Sequence, residues 1–148
     1  MKILISAALI LAAAGCTSLF LTPADFSWPV EDVLKIDGAG NATQERYSMI
    51  FNVKQLFQKE FADSNAAAGK EVRIIRDKSG YYYVTGKGFK NVYQFYAEED
   101  GLKENDSFST GDSVALASPV MNQKPGGIEL LDGSKKYLLN KKGIARVK

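Results

Sequence analysis

The sequence predicts an α+β domain, mostly antiparallel β, in which a small sheet curls into a barrel or sandwich beside one amphipathic helix. Three observations predict it. Glycine-centred turn signals recur at roughly ten-residue spacing through the second half of the chain. Residues 47–52 alternate with a two-residue period, whereas residues 53–61 switch to the period of a helix.

Residues 30–37 and 46–51 read as two strands joined by the loop Gly38-Ala39-Gly40-Asn41. In the second, Tyr47, Met49 and Phe51 alternate with Ser48, Ile50 and Asn52, so one face belongs to a core. Val53, Leu56, Phe57 and Phe61 then fall at i, i+3, i+4 and i+8, the stripe of an amphipathic helix. Asn52 suits the N-cap, Gln55 stands at the third helical position, and Phe51 is placed to staple onto Leu56. The helix is expected over residues 53–67, ending near Gly69, with its stripe packed in the core.

Strands follow at residues 71–76 and 81–85, joined by Asp77-Lys78-Ser79-Gly80, whose glycine suits the left-handed position of a hairpin. Further strands are expected at 91–97, 114–117, 128–131, 136–139 and 144–147. Leu131-Asp132-Gly133-Ser134 and Asn140-Lys141-Lys142-Gly143 supply the last two turns. Residues 82–89 faintly resemble residues 137–144, an echo that common hairpin chemistry explains without a repeat architecture.

The first fifteen residues differ from the rest. Lys2 gives a positive start, residues 3–14 are apolar apart from Ser6, and Ala12, Ala13, Ala14 and Gly15 are small residues before Cys16, the layout of a signal peptide. Ala13-Ala14-Gly15-Cys16 resembles the lipobox of bacterial lipoproteins, although Ala13 stands where that pattern usually has Leu. The resemblance covers only the leader. It implies cleavage before Cys16 and lipid on that cysteine, with two or more acyl chains giving a firm membrane anchor. Thr17 in place of Asp after the cysteine implies an outer-membrane rather than an inner-membrane address. Two alternatives remain: a plain signal peptide followed by a free or buried cysteine, and an uncleaved membrane helix continuing through Leu19-Phe20-Leu21. Cys16 is the sole cysteine and has no internal disulfide partner.

The chain then divides into a signal peptide (1–15), a lipidated tether (16–29) punctuated by Pro23 and Pro29, and one β-rich domain (30–148). Of the 148 residues, 45% are hydrophobic and 24% charged, ordinary for a globular protein large enough to fold without disulfide or metal. Once Lys2 leaves with the leader, 18 Lys and Arg face 17 Asp and Glu, a balance that gives no bulk electrostatic argument for nucleic acid or an anionic membrane as a partner.

Catalytic chemistry is scarce. The chain contains no histidine, which removes Ser-His-Asp and Cys-His nucleophile systems and His-ligated zinc. Without a histidine to take its proton, the serine of Gly111-Asp112-Ser113 reads as part of a turn into the strand 114–117. Gly86-Lys87-Gly88 lacks phosphate-loop spacing and reads as a β-turn. Glu98, Glu99, Asp100, Glu104 and Asp106 gather within nine residues but sit among Gly101, Lys103, Asn105 and Ser107, the composition of a solvated loop. Their spacing does not match an EF-hand; after the solvated loop the stretch allows a weak calcium site and, last, a small carboxylate hydrolase. No catalytic residue, metal or cofactor is expected.

Two features point to binding. Tyr81, Tyr82, Tyr83, Phe89, Tyr93, Phe95 and Tyr96 fall within sixteen residues. Consecutive tyrosines on a strand point to both faces. They either fill the core with their hydroxyls at the rim or leave Tyr81, Tyr83, Phe89, Tyr93 and Tyr96 to bind a glycan or lipid. Lys135, Lys136, Lys141, Lys142, Arg146 and Lys148 form a basic C-terminal stretch, either guarding an edge strand or meeting anionic headgroups or an acidic partner. The phrases Phe51-Asn52-Val53-Lys54-Gln55-Leu56-Phe57 and Phe89-Lys90-Asn91-Val92-Tyr93 resemble those of uncharacterised envelope lipoproteins. The overall expectation is a lipid-anchored, non-enzymatic binding or assembly component of the cell envelope, with the membrane and an envelope protein as partners.

Overall fold

A computed structural model describes residues 27–99, 101–111 and 114–147. The leader, Cys16 and the tether through residue 26 lie outside the described residues, as do Asp100, Asp112, Ser113 and Lys148. In chain order the elements are β1 (Asp32–Lys35), β2 (Asn41–Gln44), β3 (Met49–Asn52), α1 (Lys54–Phe61), β4 (Glu71–Arg76) and β5 (Tyr82–Thr85). They continue as β6 (Asn91–Glu98), β7 (Gly101–Ser109), β8 (Pro119–Lys124), β9 (Gly127–Asp132), β10 (Lys135–Asn140) and β11 (Gly143–Val147). The strands form a five-stranded sheet ordered β1-β4-β5-β6-β7, a four-stranded sheet ordered β11-β10-β9-β8 and the hairpin β2-β3. Every pairing is antiparallel, so the α+β, mostly antiparallel expectation holds.

The four-stranded sheet follows simple alternation. Met121, Leu130 and Tyr137 stand opposite one another across β8, β9 and β10, with Ile128 opposite Leu139, and all five are buried. Central strands of the larger sheet are buried on both faces instead, since Ile74 and Ile75, Tyr83 and Val84, and Tyr93 and Gln94 are each consecutive and each buried. Register places Ile74, Val84 and Tyr93 on one face. Helix α1 covers that face, through ring contacts running from Phe57 to Phe89 and from Phe89 to Tyr93.

Residues 28–31 join the sheets. The Trp28 N–H donates to the Arg76 carbonyl at 3.0 Å, the Pro29 carbonyl accepts from the Gln123 N–H at 3.0 Å, and Val30 bridges to Asn122. Glu31 then accepts the Met121 N–H at 2.9 Å and pairs with Arg73. One segment thus touches β4 of one sheet and β8 of the other before running on as β1.

Several expectations need correction. Trp28, within the stretch expected as a tether, is a core residue, 3% exposed and stacked on Tyr47 with ring centroids 4.7 Å apart. The glycine-rich loop leads into β2, a strand the alternation did not reveal, and a 3-10 turn at Glu45–Tyr47 separates β2 from β3. The helix stops at Phe61 rather than residue 67, because Ala62 adopts a left-handed conformation (φ 56°), after which Asp63 caps a separate 3-10 turn, Ser64–Ala67. Val53 is the N-cap residue, while the Asn52 side chain accepts the Lys54 N–H at 3.1 Å. The acidic stretch expected as a loop is mostly strand β7, and residues 114–117 form no strand. Strand β8 was not anticipated.

Candidate functional site

The aromatic cluster is divided by the fold. Tyr83, Phe89 and Tyr93 are buried, so the ligand-binding role considered for them is corrected to core packing. Nor does the Tyr83 hydroxyl reach the rim. It donates to Asp77 at 3.0 Å and accepts from Gln94 at 3.0 Å, and Gln94 in turn accepts from Asn105 at 2.6 Å. Burial, reinforced by the negative charge of Asp77, pushes the Tyr83 phenol well above its ordinary value. Burial and the hydrogen bond to Glu60 do the same for Tyr93. Tyr81 and Tyr96 remain half-buried and border a shallow hollow of about 430 Å3 with Arg76, Gly80 and Asn105.

The described acidic residues do not converge. Glu104 pairs with Lys59 at 2.7 Å, Glu98 pairs with Lys103 at 3.4 Å and accepts from Tyr96 at 2.9 Å, and Glu99 and Asp106 are exposed. Among the described residues, no group of three potential metal ligands gathers. No helix among them is long and apolar enough to cross a membrane.

A larger concavity than the hollow beside Tyr81 and Tyr96 lies at the end of the domain where β4 begins and the β5–β6 turn returns. A groove of about 720 Å3 is bordered by Phe57, Phe61, Ala66, Lys70, Lys87 and Pro119. Phe61 is 40% exposed although it packs on Phe57 and Phe89, so an aromatic face is presented to solvent on a fixed support. Gly88 (φ +87°) makes the close approach possible, since a Cβ there would stand 3.1 Å from the Phe61 ring.

Glu60 holds the helix that forms this wall. Its carboxylate accepts the Lys90 N–H at 2.7 Å, the Asn91 side chain at 2.8 Å and the Tyr93 hydroxyl at 2.8 Å. On the far wall, Asp132 accepts the N–H groups of Ala117 and Ser118 at 3.0 and 2.7 Å and fixes the approach to β8. Lys70 and Lys87 stand at the rim with Asp63 and Glu71, giving an apolar floor with mixed charges around it. That arrangement suits recognition of an apolar side chain or chain segment; among its lining residues there is no nucleophile paired with a base.

The groove was not anticipated. Phe61, last in the helical stripe, and Gly86-Lys87-Gly88 were its only traces, and both read as structural. The chain matches no family model, no curated protein and no solved structure.

Proposed function

We propose that this chain is a lipid-anchored protein of the bacterial envelope, held through Cys16, and that its domain is a non-enzymatic binding or assembly component. The lipobox-like Ala13-Ala14-Gly15-Cys16 supports the anchor, and Thr17 favours the outer membrane. The observation that carries the binding role is the groove with Phe61 exposed over a packed aromatic floor. Its occupant is an apolar segment of an envelope protein, with Lys70 and Lys87 at the rim to meet acidic flanks.

Crosslinking in intact cells, followed by mass spectrometry of the purified lipidated chain, tests this. One stoichiometric envelope protein is expected, joined through Lys70 or Lys87, with the crosslink lost in Phe61→Asp while circular dichroism shows the variant folded. Recovery of the chain alone with Cys16 acylated would overturn the assembly role. The hollow beside Tyr81 and Tyr96 supports a second reading, a glycan- or lipid-binding module; Tyr81→Ala and Tyr96→Ala would then weaken binding in a glycan and lipid screen.

A further inference from the structure

Three hairpin turns, β4–β5, β8–β9 and β10–β11, meet at the end of the domain opposite the groove. Around a hollow of about 430 Å3 they gather Lys78, Gln123, Lys124, Asn140, Lys141 and Lys142, with one carboxylate, Asp77, which is buried and accepts from the Tyr81 N–H and the Tyr83 hydroxyl. Lys78, Lys141 and Lys142 are exposed, and no carboxylate among the described residues pairs with them. Lys124 reaches Glu129 only at 3.8 Å. Lys141 and Lys142 stand in the turn ahead of the edge strand β11, not along it, so edge protection does not explain them.

The N-terminal chain enters at this same end. Pro29 is hydrogen-bonded to Gln123, which borders the hollow, and Trp28 to Arg76, which immediately precedes the β4–β5 turn. From Cys16 to Ser27 is eleven residues, a reach of at most about 40 Å when fully extended. We infer that the lysine-bearing hairpin tips rest on anionic phospholipid headgroups of the membrane that holds Cys16, so that the groove faces away from the bilayer. The inference rests on the lipid-anchored reading. Flexible ammonium groups suit a diffuse layer of phosphate charge, and each lysine near such a surface strengthens membrane association about fivefold.

Antiparallel order puts the β6–β7 tip, with Glu98 and Glu99, at this end as well, on the far side of the β4–β5 turn. The end is therefore divided into a basic and an acidic part. Because the chain enters beside the basic part, the domain tilts with Lys78, Lys141 and Lys142 toward the headgroups and the acidic tip raised.

The test places the full chain, purified from cells, in nanodiscs of phosphatidylcholine with or without phosphatidylglycerol and reads lysine acylation by mass spectrometry. Lys70, Lys87 and Lys90 at the other end serve as internal references. Several-fold slower labelling of Lys78, Lys141 and Lys142, in anionic discs only, is the expected result. The double variant Lys141→Glu with Lys142→Glu abolishes the protection of Lys78. Equal labelling in both lipids overturns the inference. The same spectra report the state of Cys16. An acylated cysteine with unprotected lysines overturns this inference alone, whereas an unacylated cysteine overturns the anchored reading and this inference with it.

Discussion

The two ends of the domain are made from the same antiparallel hairpins and are held together by different means. At the end where the chain enters, Trp28 packs against Tyr47 and Tyr82, and the short turns beyond it depend on backbone geometry. Gly127 (φ +154°) lies so close to the Leu139 carbonyl oxygen that a Cβ would collide with it. At the groove end, side chains do the specifying: Phe57, Phe61 and Phe89 pack ring against ring, and Glu60 ties α1 to β6. An added carbon at Gly127 meets backbone, whereas one at Gly88 in the groove end meets the Phe61 ring, and there the polar clamp of Glu60 is the larger dependence.

Gly127→Ala breaks that contrast most severely. The new methyl must displace backbone in the four-stranded sheet, so a loss of about 3 kcal/mol or more in chemical denaturation is expected. Labelling of Lys141 and Lys142 by acylating reagents should change in parallel.

Glu60→Ala attacks the other end. It leaves the Tyr93 hydroxyl, the Asn91 side chain and the Lys90 N–H without their acceptor, for a loss of about 2 kcal/mol. Hydrogen exchange should speed up in α1 and the β5–β6 turn while amides in β9 and β10 stay protected. Uniform acceleration would mean that the two ends are not independent.

The smallest effect sharpens the comparison at the strap between the sheets. Burial raises the Glu31 carboxyl above the ordinary carboxylate range, against the Met121 N–H and Arg73, which lower it. An acid raised in the folded state favours folding most below its unfolded value, and that contribution is lost as pH rises through the raised folded value. Glu31→Gln cannot titrate. Relative to the parent, its denaturation midpoint should therefore improve on going from about pH 4 to about pH 7. A constant difference would remove Glu31 as a source of pH dependence.

The hairpins were legible because their turns carry a chemical mark. Gly80 and Gly133 occupy left-handed positions, and Gly143 has a φ of +147°, conformations that disfavour other residues, so composition locates these turns. The end of α1 was not legible, since Ala62 holds the left-handed conformation that a glycine would have advertised, with its N–H bonded to the Gln58 carbonyl. Strand β7 read as a loop because it pairs through its backbone while only Phe108 is buried, with Leu102 and Glu104 half-buried and its other residues on the surface. Trp28 has no periodic neighbours to mark it as core. The groove was hidden for a similar reason, for it is assembled from α1, β4, the β5–β6 turn and the approach to β8, pieces that no local pattern connects.

The strap at residues 28–31 also determines how the domain responds to tension. A pull delivered through the N-terminal chain acts along the strand that continues into β1, whose four partners on β4 run from Asp32–Ile74 to Lys35–Glu71. The Trp28, Pro29 and Glu31 contacts and the β1–β4 ladder are then loaded together in shear, not peeled one at a time. A pull on the chain ahead of Trp28 thus loads contacts to both sheets together.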